Sequence, residues 1–224
     1  MKRFASTRSE NRASQPFAGR AQWRLGSIDE EGIRRGIYRY AEAPPNSSAD
    51  DTRPRAQILA SGVAVQWALR AQQLLAEQWG VAADVWSVTS WNELRRDAVE
   101  ADKDALLHPG EAARTPYVTA ALAEAPGPVV AVSDWMRAVP DQIAHWVPGD
   151  YASLGTDGFG KSDTRGALRR HFHVDAESIT VAVLTELARR GEVKHEVLQQ
   201  AVDGYRLTDV AAADAGNTAG ETAG

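Results

Sequence analysis

The sequence contains no cysteine among its 224 residues. This absence excludes a disulfide framework, a thiolate nucleophile and thiolate metal ligands. The chain also lacks any apolar run close to the roughly 18 residues that span a bilayer. It lacks a basic excess as well, since its formal net charge is -5. We therefore expect a cytoplasmic protein that neither crosses a membrane nor binds nucleic acid.

Hydrophobic residues make up 43% of the chain, which is enough for a real core. The two ends differ from the rest. Residues 1–31 are rich in serine, alanine and arginine, a composition that resembles an organelle transit peptide, but no helical or strand period runs through them. We favour a disordered or non-native segment there. Residues 208–224 have no core-forming residue after Val210, and we predict a disordered tail.

Between these ends, short apolar segments alternate with helical patterns. The predicted strands are an extended segment near 37–40 and the apolar runs 56–60, 81–89, 129–132 and 151–154. The predicted helices cover 63–79, 90–106, 117–124, 133–146 with a break at Pro140, 163–172, 175–190 and 193–205. This alternation predicts one α/β domain over residues 32–207, a three-layer α/β/α domain with a mainly parallel sheet.

Several helices have side chains suited to cap their first turn. The candidate N-caps are Ser90 in a capping box with Glu93, Ser133 or Asp134, Ser162 or Asp163, and Asp175.

The glycine-rich stretch 155–163 follows the last predicted strand. Residues 155–162 fit the phosphate-loop pattern G-x-x-x-x-G-K-[ST], in which backbone N–H groups and Lys161 would face a phosphate. The context argues against this reading, because the sheet is complete before the loop and Asp163 would repel a phosphate. We favour a structural strand-to-helix turn in which Gly158 and Gly160 allow positive φ. Nucleotide binding through Lys161 stays open as an alternative.

No histidine or serine falls in a recognisable catalytic or metal-binding pattern. His171 and His173 lie near a predicted helix end without acidic neighbours, and His195 lacks the second histidine of a zinc-protease helix. His108, in a loop before Pro109, is the histidine we single out for a role in function. The seven tryptophans allow both core packing and a large contact surface.

Several short segments of this sequence match the segments of a known family in their order and spacing. The segments are 36–40 (GIYRY), 56–62, 84–90, 107–109 (LHP), 115–117 (TPY), 131–136 (AVSDWM), 151–163 and 168–175, followed by the helix pattern up to residue 191. Together they resemble the transketolase-like C-terminal domain of the homodimeric-type pyruvate dehydrogenase E1 component. This E1 belongs to the thiamine-diphosphate enzymes. The block 155–163 is the most specific part of the resemblance.

The resemblance implies a parent activity and two cofactors. The parent enzyme decarboxylates pyruvate with thiamine diphosphate and magnesium and transfers the acetyl group to a lipoyl group on the E2 component. Its cofactors lie between two preceding domains, one of which carries G-D-G followed some distance later by N-N. Here the Asp-Gly pairs are Asp157-Gly158 and Asp203-Gly204, and every asparagine is isolated. We therefore expect no cofactor, no metal and no catalytic residue in this chain, and no activity from it alone.

The resemblance also implies partners: the missing E1 domains or a full-length E1, the E2 lipoyl acetyltransferase complex in the parent enzyme, and a second copy in a homodimer. The predicted interface or structural-loop residues are His108, Thr156, Asp157, Gly158, Phe159, Gly160, Lys161, Ser162 and Asp163. We interpret the chain as a truncated gene product. A stand-alone module that docks on full-length E1 remains the alternative.

Overall fold

A computed structural model describes residues 29–45 and 51–213. The predictions for residues 1–28 and 214–224 lie outside these ranges. The elements follow in the order α1 (Glu30–Arg35), β1 (Ile37–Ala41), β2 (Arg55–Ala60), α2 (Ala64–Gln78), β3 (Ala82–Val88), α3 (Trp91–Leu107), α4 (Tyr117–Leu122), β4 (Val129–Val132), α5 (Ala138–Asp141), a 3-10 turn (Ala144–Trp146), β5 (Tyr151–Leu154), α6 (Arg165–His171), α7 (Ala176–Arg189) and α8 (His195–Gly204). Within the described ranges, none of these helices has the length and apolar character needed to cross a membrane.

The sheet has five strands in the order β1-β3-β2-β4-β5. Strands β3, β2, β4 and β5 run parallel, and β1 pairs antiparallel with β3. The parallel strands are the four predicted apolar runs, so the prediction of a mainly parallel sheet is confirmed.

Helices cover both faces of this sheet. One face packs against α2, α7 and α8 through a core that includes Ile58 and Val130. The opposite face packs against α3 and α4 through Leu59 and Ala131. Neighbouring residues of one strand enter opposite cores because successive strand side chains point to opposite faces. The three-layer α/β/α prediction is confirmed.

Two predicted caps form, although one of them differs in detail. Asp175 Oδ1 accepts a hydrogen bond from the Ser178 N–H at 2.9 Å at the start of α7. Ser90 Oγ accepts from the Glu93 N–H at 3.1 Å at the start of α3. The second hydrogen bond of the capping box does not form, since the Ser90 N–H donates to Gly36 O at 3.2 Å and the Glu93 carboxylate pairs with Arg96.

The predicted helix over 133–146 is wrong. Only the short α5 and the 3-10 turn form there, and residues 133–137 are irregular. Ser133 and Asp134 therefore cap no helix. Instead, Ser133 Oγ accepts from the Trp135 N–H at 3.1 Å, a local bond that competes with helix formation.

Helix α1 lies across the predicted domain boundary at residue 32. Helix α1 begins at Glu30, and the Asp29 side chain caps it by accepting from the Gly32 N–H at 2.8 Å. Glu30 and Glu31 favour the first turn of this helix, where acidic side chains interact well with its dipole. Two residues assigned to the segment 1–31 are thus helical.

Asp97 on α3 joins three separate parts of the chain. Its carboxylate accepts from the Tyr117 N–H at 2.7 Å and from Arg114 Nη1 at 2.7 Å, and Arg35 Nη2 lies 3.5 Å away. Burial alone would raise the pKa of Asp97, but the bonds from Tyr117 and Arg114 and the charge of Arg35 outweigh it. The pKa of Asp97 therefore lies below its ordinary value of 3.8.

Replacing Asp97 with asparagine should lower the free energy of unfolding at pH 7 by about 1–2 kcal/mol, because charge-assisted hydrogen bonds become neutral ones. A lowered carboxyl pKa stabilises the fold above the unfolded pKa, and this stabilisation is lost as the pH falls through the folded pKa. The difference between wild type and Asp97→Asn should therefore shrink below a pH of about 4. Urea unfolding at pH 7 and pH 3 measures both effects.

Glu100→Gln is the matched control, since Glu100 is exposed on the same helix and loses the same charge. It should change the unfolding free energy little at either pH. An equal loss for Asp97→Asn at both pH values would show that the charge of Asp97 does not stabilise this junction.

Candidate functional site

The loops that follow β2, β4 and β5 meet at the carboxyl edge of the sheet. The chain leaves β2 to form β3 on one side and later returns to form β4 on the other side. Such a reversal of strand order opens a crevice outside the carboxyl ends of the strands, where open α/β sheets bind ligands. The order of strands in space, which the sequence did not supply, points to this edge as the candidate site.

The innermost part of the crevice is filled by its own side chains. Ser61 Oγ donates to Ser133 Oγ at 3.1 Å and accepts from Trp91 Nε1 at 3.1 Å. All three residues are buried. Because their polar atoms bond to one another, the two hydroxyls stabilise the junction of the loops, and we assign no nucleophile here.

The loop after β5 is fastened to the loop after β4 by three hydrogen bonds and an ion pair. The Thr156 N–H donates to Trp135 O at 2.9 Å, and Thr156 Oγ1 donates to Asp134 O at 2.8 Å. Asp157 Oδ1 accepts from the Arg137 N–H at 2.9 Å, and Asp157 Oδ2 lies 3.1 Å from Arg137 Nε. The two loops thus form one unit, which also explains why residues 133–137 are not helical.

Gly155 permits this contact because it has no side chain. A Cβ atom at this position would lie 2.5 Å from Trp135 O and 2.8 Å from the Arg137 nitrogen. Both are backbone atoms, which cannot move aside without breaking the unit. Gly155 is the residue in the glycine-rich stretch whose identity the packing requires.

The outer half of the same loop extends away from the domain. Gly158 has the predicted positive φ, at 99°, whereas Gly160 does not. Phe159 between them is 98% exposed, and Lys161 and Ser162 are also exposed. Thr156 and Asp157 therefore anchor the loop, and Phe159 is its most prominent apolar group.

The phosphate-loop geometry does not form. Helix α6 has seven residues and starts at Arg165, so Lys161 and Ser162 precede it. The predicted caps Ser162 and Asp163 are wrong, because Thr164 Oγ1 accepts from the Ala167 N–H at 3.2 Å. Asp163 instead accepts from the Thr164 N–H at 2.9 Å. Side-chain oxygens thus take up N–H groups that a phosphate would need.

His108 lies far from this loop. Helix α3 is 17 residues long and runs from Trp91 at the carboxyl edge to Leu107, a distance of about 25 Å. His108 follows it, and its Nδ1 lies 3.1 Å from both the carbonyl oxygen and Oδ1 of Asp104. The structure therefore does not bring His108 together with residues 156–163.

A cavity of about 240 Å³ lies beside the anchored half of the loop. It is lined by Val63, Ala64, Trp67, Asp134, Thr156, Leu168, Arg169, Phe172 and Val174. The Arg169 guanidinium lies over the Trp67 ring, 4.2 Å from its centre. Sequence reasoning missed this cavity, because its lining comes from loops and helices separated along the chain.

Gly155→Ala should destabilise the domain by about 1–3 kcal/mol, since the new methyl group would overlap backbone atoms in a packed junction. Urea unfolding followed by tryptophan fluorescence measures this loss. Gly160→Ala is the matched control in the same loop, because a Cβ there meets no atom within 4 Å. Equal stability of the two variants would contradict the junction as described.

Three kinds of comparison find known proteins that are similar to this chain. A family model described as the transketolase-like TK C-terminal domain matches residues 36–175. The pyruvate dehydrogenase E1 component of Mycolicibacterium smegmatis is 59% identical over 187 residues, which are 84% of this chain and 20% of that protein. The E1 component of Mycobacterium tuberculosis is 58% identical with the same coverage. Among solved structures, a transketolase from Leishmania mexicana matches with a TM-score of 0.45 and 21% identity over 71% of this chain and 19% of that chain.

The matched residues 36–175 contain the five strands of the described sheet and the loops after β2, β4 and β5. The chain spans about one fifth of the length of the curated relatives it matches. Because the family model covers more than half of the sequence, the chain belongs to the family of transketolase-like C-terminal domains.

Proposed function

We propose that this chain forms the C-terminal part of a pyruvate dehydrogenase E1 component and is inactive alone. The observation that carries the proposal is the 59% identity to one such component, over a segment that makes up 20% of it. In the complete enzyme, thiamine-dependent decarboxylation of pyruvate and transfer of the acetyl group to lipoyl-E2 would take place on other domains. This domain would supply packing and dimer contacts.

The described residues do not supply the ligands that the magnesium of the cofactor would need. Within residues 29–45 and 51–213, no group of three or more His, Cys, Asp or Glu side chains is placed to hold a metal ion. Asp157, in one of the Asp-Gly pairs, already bonds to the backbone and side chain of Arg137. We therefore derive no catalytic step through the cofactor in this chain.

The partners of this chain follow from the same proposal. They are the remaining E1 domains, a second E1 subunit and the E2 complex, in the cytoplasm. The alternative is a stand-alone module that docks on full-length E1, and the exposed side chains of Trp135 and Phe159 favour a docking role in either case. Co-purification of the chain with an intact E1 from cells that express both would favour the module.

Titration of thiamine diphosphate and Mg²⁺ into this chain should release no heat of binding, because neither ligand finds its donor groups here. Isothermal calorimetry measures this directly. The full-length E1 component of Mycolicibacterium smegmatis, titrated under the same conditions, is the positive control. Tight, magnesium-dependent binding to this chain would contradict the proposed division of roles between domains.

A further inference from the structure

Four large apolar side chains are exposed on the carboxyl edge of the sheet. They are Val63, Trp135, Met136 and Phe159, each more than half exposed, and we name them the carboxyl-edge patch. They come from the loops after β2, β4 and β5, which converge at this edge. Single exposed apolar residues are ordinary, whereas several on one face mark an interaction surface.

The cavity next to the patch adds depth to this surface. Val63 belongs to both, and the cavity also reaches Asp134 and Thr156, which lie beside Trp135 and the Phe159 loop. An apolar cavity of about 150 Å³ accommodates benzene. The cavity of about 240 Å³ in this domain is therefore large enough for an aromatic or branched apolar side chain.

Hydrogen bonds within the domain hold the loops of this surface in place without a partner. Trp135 and Met136 lie in the loop that Thr156 and Asp157 hold through their hydrogen bonds. Gly155 fixes the separation of the two loops. A surface with preset loops loses less conformational entropy on binding than one that must order itself.

The preceding part of the chain enters the domain at this same edge. Strand β1 starts with Ile37 opposite Val88, the last residue of β3. Just before it, helix α1 is held at that edge by Thr89 Oγ1, which donates to Ile33 O at 2.7 Å. Since strands lie about 4.8 Å apart, α1 and the loop after β4 are separated by roughly three strand spacings. In an E1 polypeptide, the domain that precedes this one would thus arrive beside the patch.

We infer that the carboxyl-edge patch packs against the preceding domain of the E1 polypeptide, and that the cavity receives an apolar side chain from it. This inference rests on the proposed function. The carboxyl-edge patch is then the face through which this domain contacts the preceding domain. This contact also gives the exposed Phe159 a role, as an apolar group that inserts into the facing domain.

The test uses a full-length E1 component of Mycolicibacterium smegmatis in which the matching segment is replaced by that of this chain. The double variant Trp135→Ser, Phe159→Ser is made in this chimera and in the 224-residue chain. In the chain alone the thermal unfolding midpoint should not change, because both side chains face solvent. In the chimera the thermal unfolding midpoint should fall by several degrees, because the two side chains are covered there.

Leu106→Ser is the matched control. Leu106 is 78% exposed, but it lies at the far end of α3, and its replacement should leave both proteins unchanged. Equal midpoints for the double variant and the unsubstituted chimera would overturn the inference, as would an equal fall in the chain alone. An unsubstituted chimera without pyruvate dehydrogenase activity would contradict the proposed function itself, and the inference with it.

Discussion

The structure depends on the position of β2 at the centre of the sheet, with a parallel neighbour on each side. Ile58 lies opposite Val85 on β3 and opposite Val130 on β4. Both faces of the strand are covered by helices, so its side chains must suit two cores at once. Gln57 of this strand is fully buried but satisfied, since its Oε1 accepts from Trp86 Nε1 at 2.7 Å and its Nε2 donates to Pro126 O at 2.9 Å. Stable pairing on both sides fixes where β3 and β4 end.

The carboxyl edge follows from this arrangement. Parallel strands in fixed register bring the ends of β2 and β4 together, and the buried serines after them bond to each other. The loop after β5 then closes over the loop after β4, which requires a glycine at position 155. The hydroxyls of Ser61 and Ser133 and the side chains of Thr156 and Asp157 bond within the domain, whereas Trp135 and Phe159 are exposed. Such a surface is better suited to packing against another protein domain than to catalysis.

Much of the architecture was predictable from the sequence, because the strand segments within 56–60, 81–89 and 129–132 are short and mostly apolar, as is typical of strands buried on both faces. The cap at Asp175 was predictable for a similarly local reason. The direction of β1 was not, because pairing with β3 is a contact between distant parts of the chain. The helix predicted over 133–146 failed because contacts with the next loop override the local preference.

The candidate site was only partly visible in the sequence. The stretch 155–163 was singled out from the sequence, and its role as an interface loop stays a prediction, whereas the phosphate-loop geometry that its pattern suggested does not form. Thr164 caps α6 where Ser162 or Asp163 was expected, because several adjacent residues have suitable side chains and only the path of the backbone selects one. The cavity and Trp135 could not be assigned to this site, since they join it through the order of the strands. His108 was chosen from its loop context and lies at the other end of α3.

Hydrogen–deuterium exchange of residues 156–163 tests most directly whether this edge joins the domain to the rest of an E1 enzyme. The exchange rates are compared between the 224-residue chain and the full-length chimera. We predict slower exchange of these amides in the chimera, with unchanged rates at the far end of α3 around Leu106. Equal rates at 156–163 in the two proteins, together with slower exchange on another face of the domain, would contradict this assignment.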